Sequence, residues 1–470
     1  MASDEDKLLH IVMFPWLAFG HMIPNLELAK LIAQKGHKIS FVSTPRNIER
    51  LPKLPPNLST LINYVNLPLP KVDNLPDNAE ATTDVPYDVV KYLKKAYDAL
   101  QEPLTHFLET SKADWIFYDF VPFWVGSVAS KLGIRSVFYS IFTAPFMNFM
   151  GPASVLMSID QQRIKPENYT MPPPWVPFPT TVAFRYFEVM KNTDSALDND
   201  SGFSDLYRMG ASIKNCDFVA IRGCTEFEPE WFQVLENIYQ KPVLPVGQLP
   251  STGLDGGNEN NAWQWMKDWL DNKSRGTVVY VAFGSEAKPN QEEVTKIALG
   301  LEKSELPFFW VLRVRRGPSD TVVLQLPEGF EERTRGRGVV CTTWAPQLKI
   351  LSHENVGGFL THSGWTSVVE AVQNEKPLVL LTFLADQGIN ARVLEEKKMG
   401  YSVPRNERDG LFTSDSVADS VRLLMVEEEG RIYRGKIKEM KDLFVNREKQ
   451  ERYIDNLLDF LGERNRTPQT

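Results

Sequence analysis

Residues 344–387 read WAPQLKILSHENVGGFLTHSGWTSVVEAVQNEKPLVLLTFLADQ. The stretch alternates strand, turn, helix, strand and turn, and a strand returned to its own sheet through a helix runs parallel to its neighbour. The turn His362-Ser363-Gly364 falls where the first strand ends and the helix begins. Backbone N–H groups and the positive end of the helix dipole are exposed there, which makes the turn a phosphate site. Gly364 lets the backbone approach an anion, Ser363, Thr366 and Ser367 offer hydroxyl donors, and His362 can donate from its ring. Glu370 lies four residues after Thr366 on the same helical face, where a carboxylate leaning toward the helix start can accept from ribose hydroxyls. A Ser-Gly helix start is equally the N-cap of any ordinary helix, and by itself it supports both readings.

The same rhythm extends outward. Before the segment, apolar runs at 9–17, 39–42, 115–118 and 137–141 alternate with helical patterns at 25–35 and 88–111. Around it come strands at 277–283, 308–314, 339–342, 356–361 and 378–383, and helices at 291–303, 391–398, 416–426 and 432–444. Repeated βα units predict parallel sheets covered by helices on both faces. At 470 residues the chain has room for two such domains. The glycine-rich and polar stretch 249–261 is the best linker, so the domains are expected at 1–248 and 262–448. Two α/β halves are expected to face one another across a cleft, and ligands bind beyond the carboxyl ends of parallel strands. Residues 158–204, with Lys165-Pro166 and the proline-rich run 171–179, break the rhythm and read as an inert loop or a lid.

Composition excludes several classes. Net charge is −8, so no basic face is available for nucleic acid, and local groups must hold any bound anion. Three cysteines, Cys216, Cys224 and Cys341, cannot build a disulfide framework and lack paired zinc-ligand spacing, which fits a reducing, cytoplasmic setting. The acidic start makes the first apolar run a strand, not a secretion signal. The uncharged run 136–157 is long enough to cross a bilayer, but Pro145, Asn148, Gly151 and Pro152 interrupt it, so a buried strand and helix are expected and no membrane insertion.

A second set of chemical residues lies in the first half. His21 follows the first strand and Asp119 follows another, both at carboxyl ends. A histidine there can act as general base, and an aspartate on its second ring nitrogen would set the tautomer and stabilise the imidazolium. Each alone is commonly structural.

Residues 344–387 resemble the 44-residue plant signature of family 1 UDP-sugar glycosyltransferases, with Trp-Ala-Pro-Gln at the start, His-Ser-Gly-Trp in the middle and Asp-Gln at the end. The resemblance implies a GT-B fold of two Rossmann-like domains and a UDP-sugar co-substrate, with no metal or other cofactor. It assigns Trp344 and Ala345 to uracil, Gln347 and Glu370 to ribose, His362, Ser367 and the helix start at Gly364 to the diphosphate, and Trp365, Asp386 and Gln387 to the sugar. Ser285, in Phe-Gly-Ser-Glu, resembles a further phosphate contact, and Ser140 is a further candidate donor contact. Thr366 stands where the family usually has Asn, which bears on donor affinity or choice. His353 is expected at the surface. The resemblance also pairs His21 with Asp119 as the catalytic dyad, implies inversion by a single displacement, and sends the last helix, 449–470, back onto the first domain.

The chain as a whole resembles the branch-forming, sugar-on-sugar subgroup, which implies a flavonoid, terpenoid or steroid glycoside, or a simpler aglycone, as acceptor. Gln387 favours UDP-glucose, with UDP-rhamnose the alternative. Phe120, Phe123, Phe142, Phe146, Met150 and Trp175 are candidates for an apolar acceptor pocket. The partners expected are thus a UDP-sugar and a small hydroxylated molecule, bound by a monomer. Asp198-Asn-Asp200 matches the Asp-x-Asp of metal-dependent transferases but follows no strand, so it reads as loop. A nucleotide-sugar sensor has no need of His21 and Asp119, an oxidoreductase would carry GxGxxG after its first strand, and a hydrolase of the GxSxG class would carry that elbow.

Overall fold

The computed structural model describes residues 8–158, 163, 165–193, 200–251, 261–287, 289–314 and 320–466. The chain divides into two compact units. One comprises Met1–Gln162, Asp194–Gly256 and Val445–Thr470, the other Arg163–Thr193 and Gly257–Phe444.

The first unit holds a parallel sheet of seven strands: β1 (His10–Phe14), β2 (Lys38–Ser43), β3 (Ile62–Asn66), β4 (Trp115–Tyr118), β5 (Arg135–Ser140), β6 (Phe218–Ile221) and β7 (Val243–Pro245), in the order β3-β2-β1-β4-β5-β6-β7. Parallel strands are buried on both faces, which is why β1 and β4 read as unbroken apolar runs. The edge strand β3 has only Ile62 fully buried, and its half-polar sequence INYVN carries no such run. The run 136–157 folds as the end of β5 followed by the helices Ala144–Met150 and Ala153–Leu156. No helix of the described residues is long and apolar enough to cross a membrane.

The region 88–111, read as one helical stretch, contains two helices, Val90–Asp98 and Gln101–Ser111. Pro103 withholds the N–H that would pair with the Ala99 carbonyl, so the ladder breaks there. The last helix, Arg447–Arg466, buries Ile454, Leu457 and Leu461 in the same core as Leu28 and Ile32 of the helix Phe19–Gln34. Gln450 Oε1 accepts from Gln248 N at 2.9 Å, and Lys35 pairs with Asp455 at 2.6 Å.

The second unit holds β8 (Val278–Ala282), β9 (Phe308–Val311), β10 (Gly338–Cys341), β11 (Val356–Thr361), β12 (Leu378–Leu380) and β13 (Gly400–Ser402), all parallel, in the order β10-β9-β8-β11-β12-β13. Two boundaries differ from the sequence reading: the chain returns to the first unit at Val445 and not after 448, and an earlier segment changes sides. Residues 163–193, counted above with 1–248, pack with the second unit, because Phe187 and Glu188 bury themselves there and Glu188 Oε1 accepts from Thr382 Oγ1 at 2.6 Å. A proline-rich run has no periodicity to reveal which sheet it serves. Most of the linker 249–261 and Asp198 and Asn199 lie outside the described residues; Asp200 pairs with Lys91 at 2.8 Å.

Candidate active site

In each sheet the order reverses at one place, and loops on either side of such a point diverge and leave a crevice at the carboxyl ends. In the first unit that place lies between β1 and β4. Phe14 stands opposite Tyr118, so the segments after both strands emerge together. One leads into the helix Phe19–Gln34, with His21 in its first turn; the other begins with Asp119. His21 Nδ1 and Asp119 Oδ2 are 2.6 Å apart, with side chains 12% and 2% exposed. The carboxylate also accepts from the backbone N–H groups of Trp16, at 3.3 Å, and Phe120, at 2.7 Å. These bonds satisfy a buried anion and fix where it points. A carboxylate facing Nδ1 keeps the proton on that nitrogen, so the lone pair of the neutral ring resides on Nε2.

Two aromatic rings flank His21: Phe142 lies edge-on to it at 5.6 Å and Phe120 tilted at 6.0 Å, and Phe146 packs behind Phe142 at 4.8 Å. Ser140 ends β5, and its hydroxyl accepts from Phe142 N at 3.1 Å, so in this unit it serves the turn that carries Phe142. Phe123 packs against Phe203 at 4.7 Å, and Trp175 belongs to the second unit, beside the Arg163 guanidinium at 5.7 Å.

In the second unit the reversal lies between β8 and β11. Thr361 stands opposite Ala282, so Phe283-Gly284-Ser285 and His362-Ser363-Gly364 emerge side by side. The helix Trp365–Gln373 starts from Gly364 with no side-chain cap, leaving its first N–H groups to other acceptors. The His362 ring is closed in by two glycines. A Cβ on Gly284 would lie 2.7 Å from its Nε2, and one on Gly364 would meet the same atom with Cε1 2.9 Å away. Ser363 takes a left-handed φ of 71°, and its hydroxyl is buried with no hydrogen-bond partner among the described residues. An unmet buried donor costs about 1–3 kcal/mol, so this turn is short of a partner.

The ribose candidates come together. Gln347 Nε2 donates to Glu370 Oε2 at 2.7 Å and to Ser367 Oγ at 3.0 Å. Trp344 is 69% exposed, an indole face open to a planar base. Ala345, Thr366 and Ser285 are half-buried, and Ser285 Oγ lies 3.4 Å from Glu286. Trp365 turns its ring inward toward Phe444 at 6.2 Å and is 4% exposed. Gln387 Oε1 accepts from the N–H groups of Phe383 and Leu384, at 2.9 and 3.1 Å, and Asp386 Oδ2 accepts from Asn390 Nδ2 at 2.7 Å. His353, placed at the surface above, is only 10% exposed at its side chain and bridges Asp271, at 3.0 Å, and Asn355 N, at 3.2 Å.

Two contributors went unnoticed in the sequence. Asn390 is fully buried and donates both to Asp386 and to the Ser363 carbonyl, at 3.1 Å, tying the 382–388 loop to the glycine turn. The signal was there, because Asp386 and Asn390 stand four apart at a helix start. Gly284, with φ of 72°, is the other; its signal was a lone glycine beside the phosphate candidate Ser285. Among the described residues no group of three or more His, Cys, Asp or Glu side chains is arranged to hold a metal ion.

Burial depresses the His362 pKa to about 4, so the ring is neutral at neutral pH. The unfolded chain therefore binds a proton near pH 6.5 that the native one refuses until about pH 4. This contribution to stability is complete above pH 6.5 and is lost as pH falls toward 4, with a slope approaching about 1.4 kcal/mol per pH unit. Denaturant titrations of wild type and His362→Gln between those limits are expected to differ by that slope; parallel curves would mean the ring is hydrated.

The comparisons agree with this architecture. The family described as "UDP-glucoronosyl and UDP-glucosyl transferase" matches residues 232–444. UDP-glycosyltransferase 91A1 of Arabidopsis thaliana is 51% identical over 98% of each chain. Soyasaponin III rhamnosyltransferase of Glycine max is 41% identical over 98% of this chain and 96% of its own. The crystal structure of Glycyrrhiza uralensis UGT73P12 complexed with glycyrrhetinic acid 3-O-monoglucuronide superposes with a TM-score of 0.78 at 22% identity, covering 97% of this chain and 96% of its own. The fold is of the GT-B type, with two Rossmann-like domains. The chain belongs to the plant family 1 UDP-glycosyltransferases and resembles their branch-forming subgroup. It is a UDP-sugar-dependent glycosyltransferase of plant small molecules.

Proposed function

We propose that this enzyme transfers glucose from UDP-glucose to a hydroxyl of a plant small molecule of flavonoid, terpenoid or steroid type, or of its glycoside, by one displacement that inverts the anomeric centre. In this reading His21 Nε2 takes the proton of the acceptor hydroxyl as its oxygen bonds to the anomeric carbon. The bond from that carbon to the β-phosphate oxygen breaks on the opposite side, and its electron pair leaves with UDP. Asp119 holds the ring and stabilises the imidazolium. The growing charge on UDP is met by the start of the helix Trp365–Gln373 and by fixed donors of the glycine turn, a task that a metal performs in other transferases. Trp344 stacks on uracil, Gln347 and Glu370 hold ribose, and Asp386 and Gln387 hold the sugar.

The observation that carries the reading is the 2.6 Å bond between His21 and Asp119 at the β1/β4 reversal. A sensor of nucleotide sugars would have no use for such a pair. Phe120 and Phe142 beside His21, with Phe146 packed on Phe142, favour an acceptor with a flat or bulky apolar body. The 41% identical relative named as a rhamnosyltransferase supports UDP-rhamnose as a second reading.

Purified enzyme supplied with a panel of flavonoid, terpenoid and steroid glycosides is expected to form product with UDP-glucose in the presence of EDTA. The new linkage is expected to be inverted relative to the donor. Product from UDP-rhamnose alone would establish the second reading, and loss of turnover in EDTA that added Mg²⁺ restores would overturn the metal-free step.

A further inference from the structure

The strap Arg163–Thr193 is sequence from the first half of the chain that packs with the second unit. It meets that unit at several places, among them Glu293, Glu396 and Glu407, and one set of its contacts falls on residues 382–388. Ala385, at a left-handed φ of 55°, is held by the Asn192 amide on both sides of its backbone: Asn192 Oδ1 accepts from Ala385 N at 2.8 Å, and Nδ2 donates to Ala385 O at 3.3 Å. Asn192 is itself the C-cap of the helix Tyr186–Lys191, with its N–H bonded to Val189 O at 3.0 Å. Glu188 of that helix, 4% exposed, accepts from Thr382 Oγ1 at 2.6 Å and from Arg185 N at 2.9 Å. Gly388 closes the contact, since a Cβ there would meet the Glu188 carboxylate and lie 2.8 Å from Phe184. Three consecutive anchors, at 382, 385 and 388, thus clamp the loop from the strap side, and Asp386 and Gln387 lie between them.

We infer that Asn192 and Glu188 are positioning residues for donor-sugar recognition. They set the backbone from which Asp386 and Gln387 are presented. The inference rests on the proposed reading that Asp386 and Gln387 touch the sugar of the donor. A side chain that fixes a non-glycine residue at positive φ removes the alternative loop conformations, and a preformed site binds without having to order itself. The nucleotide part of the donor is served by other residues, 344–347 and 362–370, so the strap is expected to act on the sugar and not on UDP.

The experiment compares Asn192→Ala, Asn192→Asp, Glu188→Gln and Gln387→Ala by donor KM, kcat, UDP inhibition constant and the ratio of kcat/KM for UDP-glucose to that for UDP-rhamnose. Asn192→Ala is expected to raise the KM for the preferred UDP-sugar about tenfold and to narrow the ratio between donors, with the UDP inhibition constant unchanged. Asn192→Asp keeps the acceptor for Ala385 N and is expected to recover part of the loss, which a general destabilisation would not predict. Glu188→Gln has one oxygen left for the two bonds from Thr382 Oγ1 and Arg185 N and is expected to raise donor KM at an unchanged melting temperature; an unmoved donor KM would strike Glu188 from the inference. If Gln387→Ala alters donor KM and Asn192→Ala does not, the strap inference is overturned while the site assignment stands. If Gln387→Ala itself leaves donor KM and donor ratio unmoved, the sugar assignment fails, and the inference falls with it.

Discussion

His21→Ala is expected to lower kcat about 10²- to 10⁴-fold, the range a positioned general base supplies, with UDP binding unchanged. The expectation follows from geometry. Removing the ring takes away the partner that Asp119 Oδ2 meets at 2.6 Å, but Trp16 N and Phe120 N still donate to the carboxylate, so the buried anion keeps part of its hydrogen bonding. Stability is therefore expected to fall by less than activity. His21→Gln separates the two effects further, because an amide can donate to Asp119 yet has no basic nitrogen. Asp119→Asn tests the pair from the other side. Its amide presents an N–H toward Nδ1, which drives the ring to the tautomer with the proton on Nε2 and removes the base without removing the ring. Rate assays at saturating donor, with UDP calorimetry alongside, decide the matter. A His21→Gln enzyme that keeps wild-type kcat would show that the acceptor loses its proton elsewhere.

Gly364→Ala is expected to weaken UDP binding about ten- to hundredfold, through a clash and not through backbone strain. Gly364 sits at φ −62° and ψ 131°, a conformation open to any residue. The added methyl would instead meet the His362 ring, which Gly284 already confines and whose burial leaves it little room to move. Overpacking of this kind costs about 1–3 kcal/mol, and that is the origin of the affinity range. The double variant Gly364→Ala/His362→Ala removes the obstacle and is expected to bind UDP as tightly as His362→Ala alone. Calorimetric titration of UDP into the three variants checks this. Wild-type affinity in Gly364→Ala would mean that the diphosphate does not approach this turn.

Sequence by itself determined the class of fold and most of the candidate chemistry. Apolar runs such as those of β1, β4 and β11 are legible because a parallel strand buried on both faces is apolar along most of its length. The helix Gln291–Lys303 and the strand Val356–Thr361 run over the bounds read from the sequence, since Asn290 forms a capping box with Glu293 and the Thr-His-Ser-Gly turn ends the strand abruptly. Spacing within 344–387 carried the phosphate candidates and Glu370 for ribose, because those groups are local to one βαβ unit; the uracil and sugar candidates came from the resemblance. His21 and Asp119 are 98 residues apart, and only the resemblance joined them beforehand. Their 2.6 Å contact is a product of strand order, with β1 beside β4 and both carboxyl ends level.

Tertiary structure alone decided the rest. It assigned the strap Arg163–Thr193 to the second unit, turned Trp365 inward toward Phe444, gave the Ser140 hydroxyl to the Phe142 turn, and set Asn390 between Ser363 and Asp386. In each case the deciding interaction is a side chain meeting a partner remote in sequence or a loop with no periodicity. A local pattern records the element a residue belongs to and the face it takes there. Which other loop that face meets is fixed only when the sheets order their strands and the core closes over them.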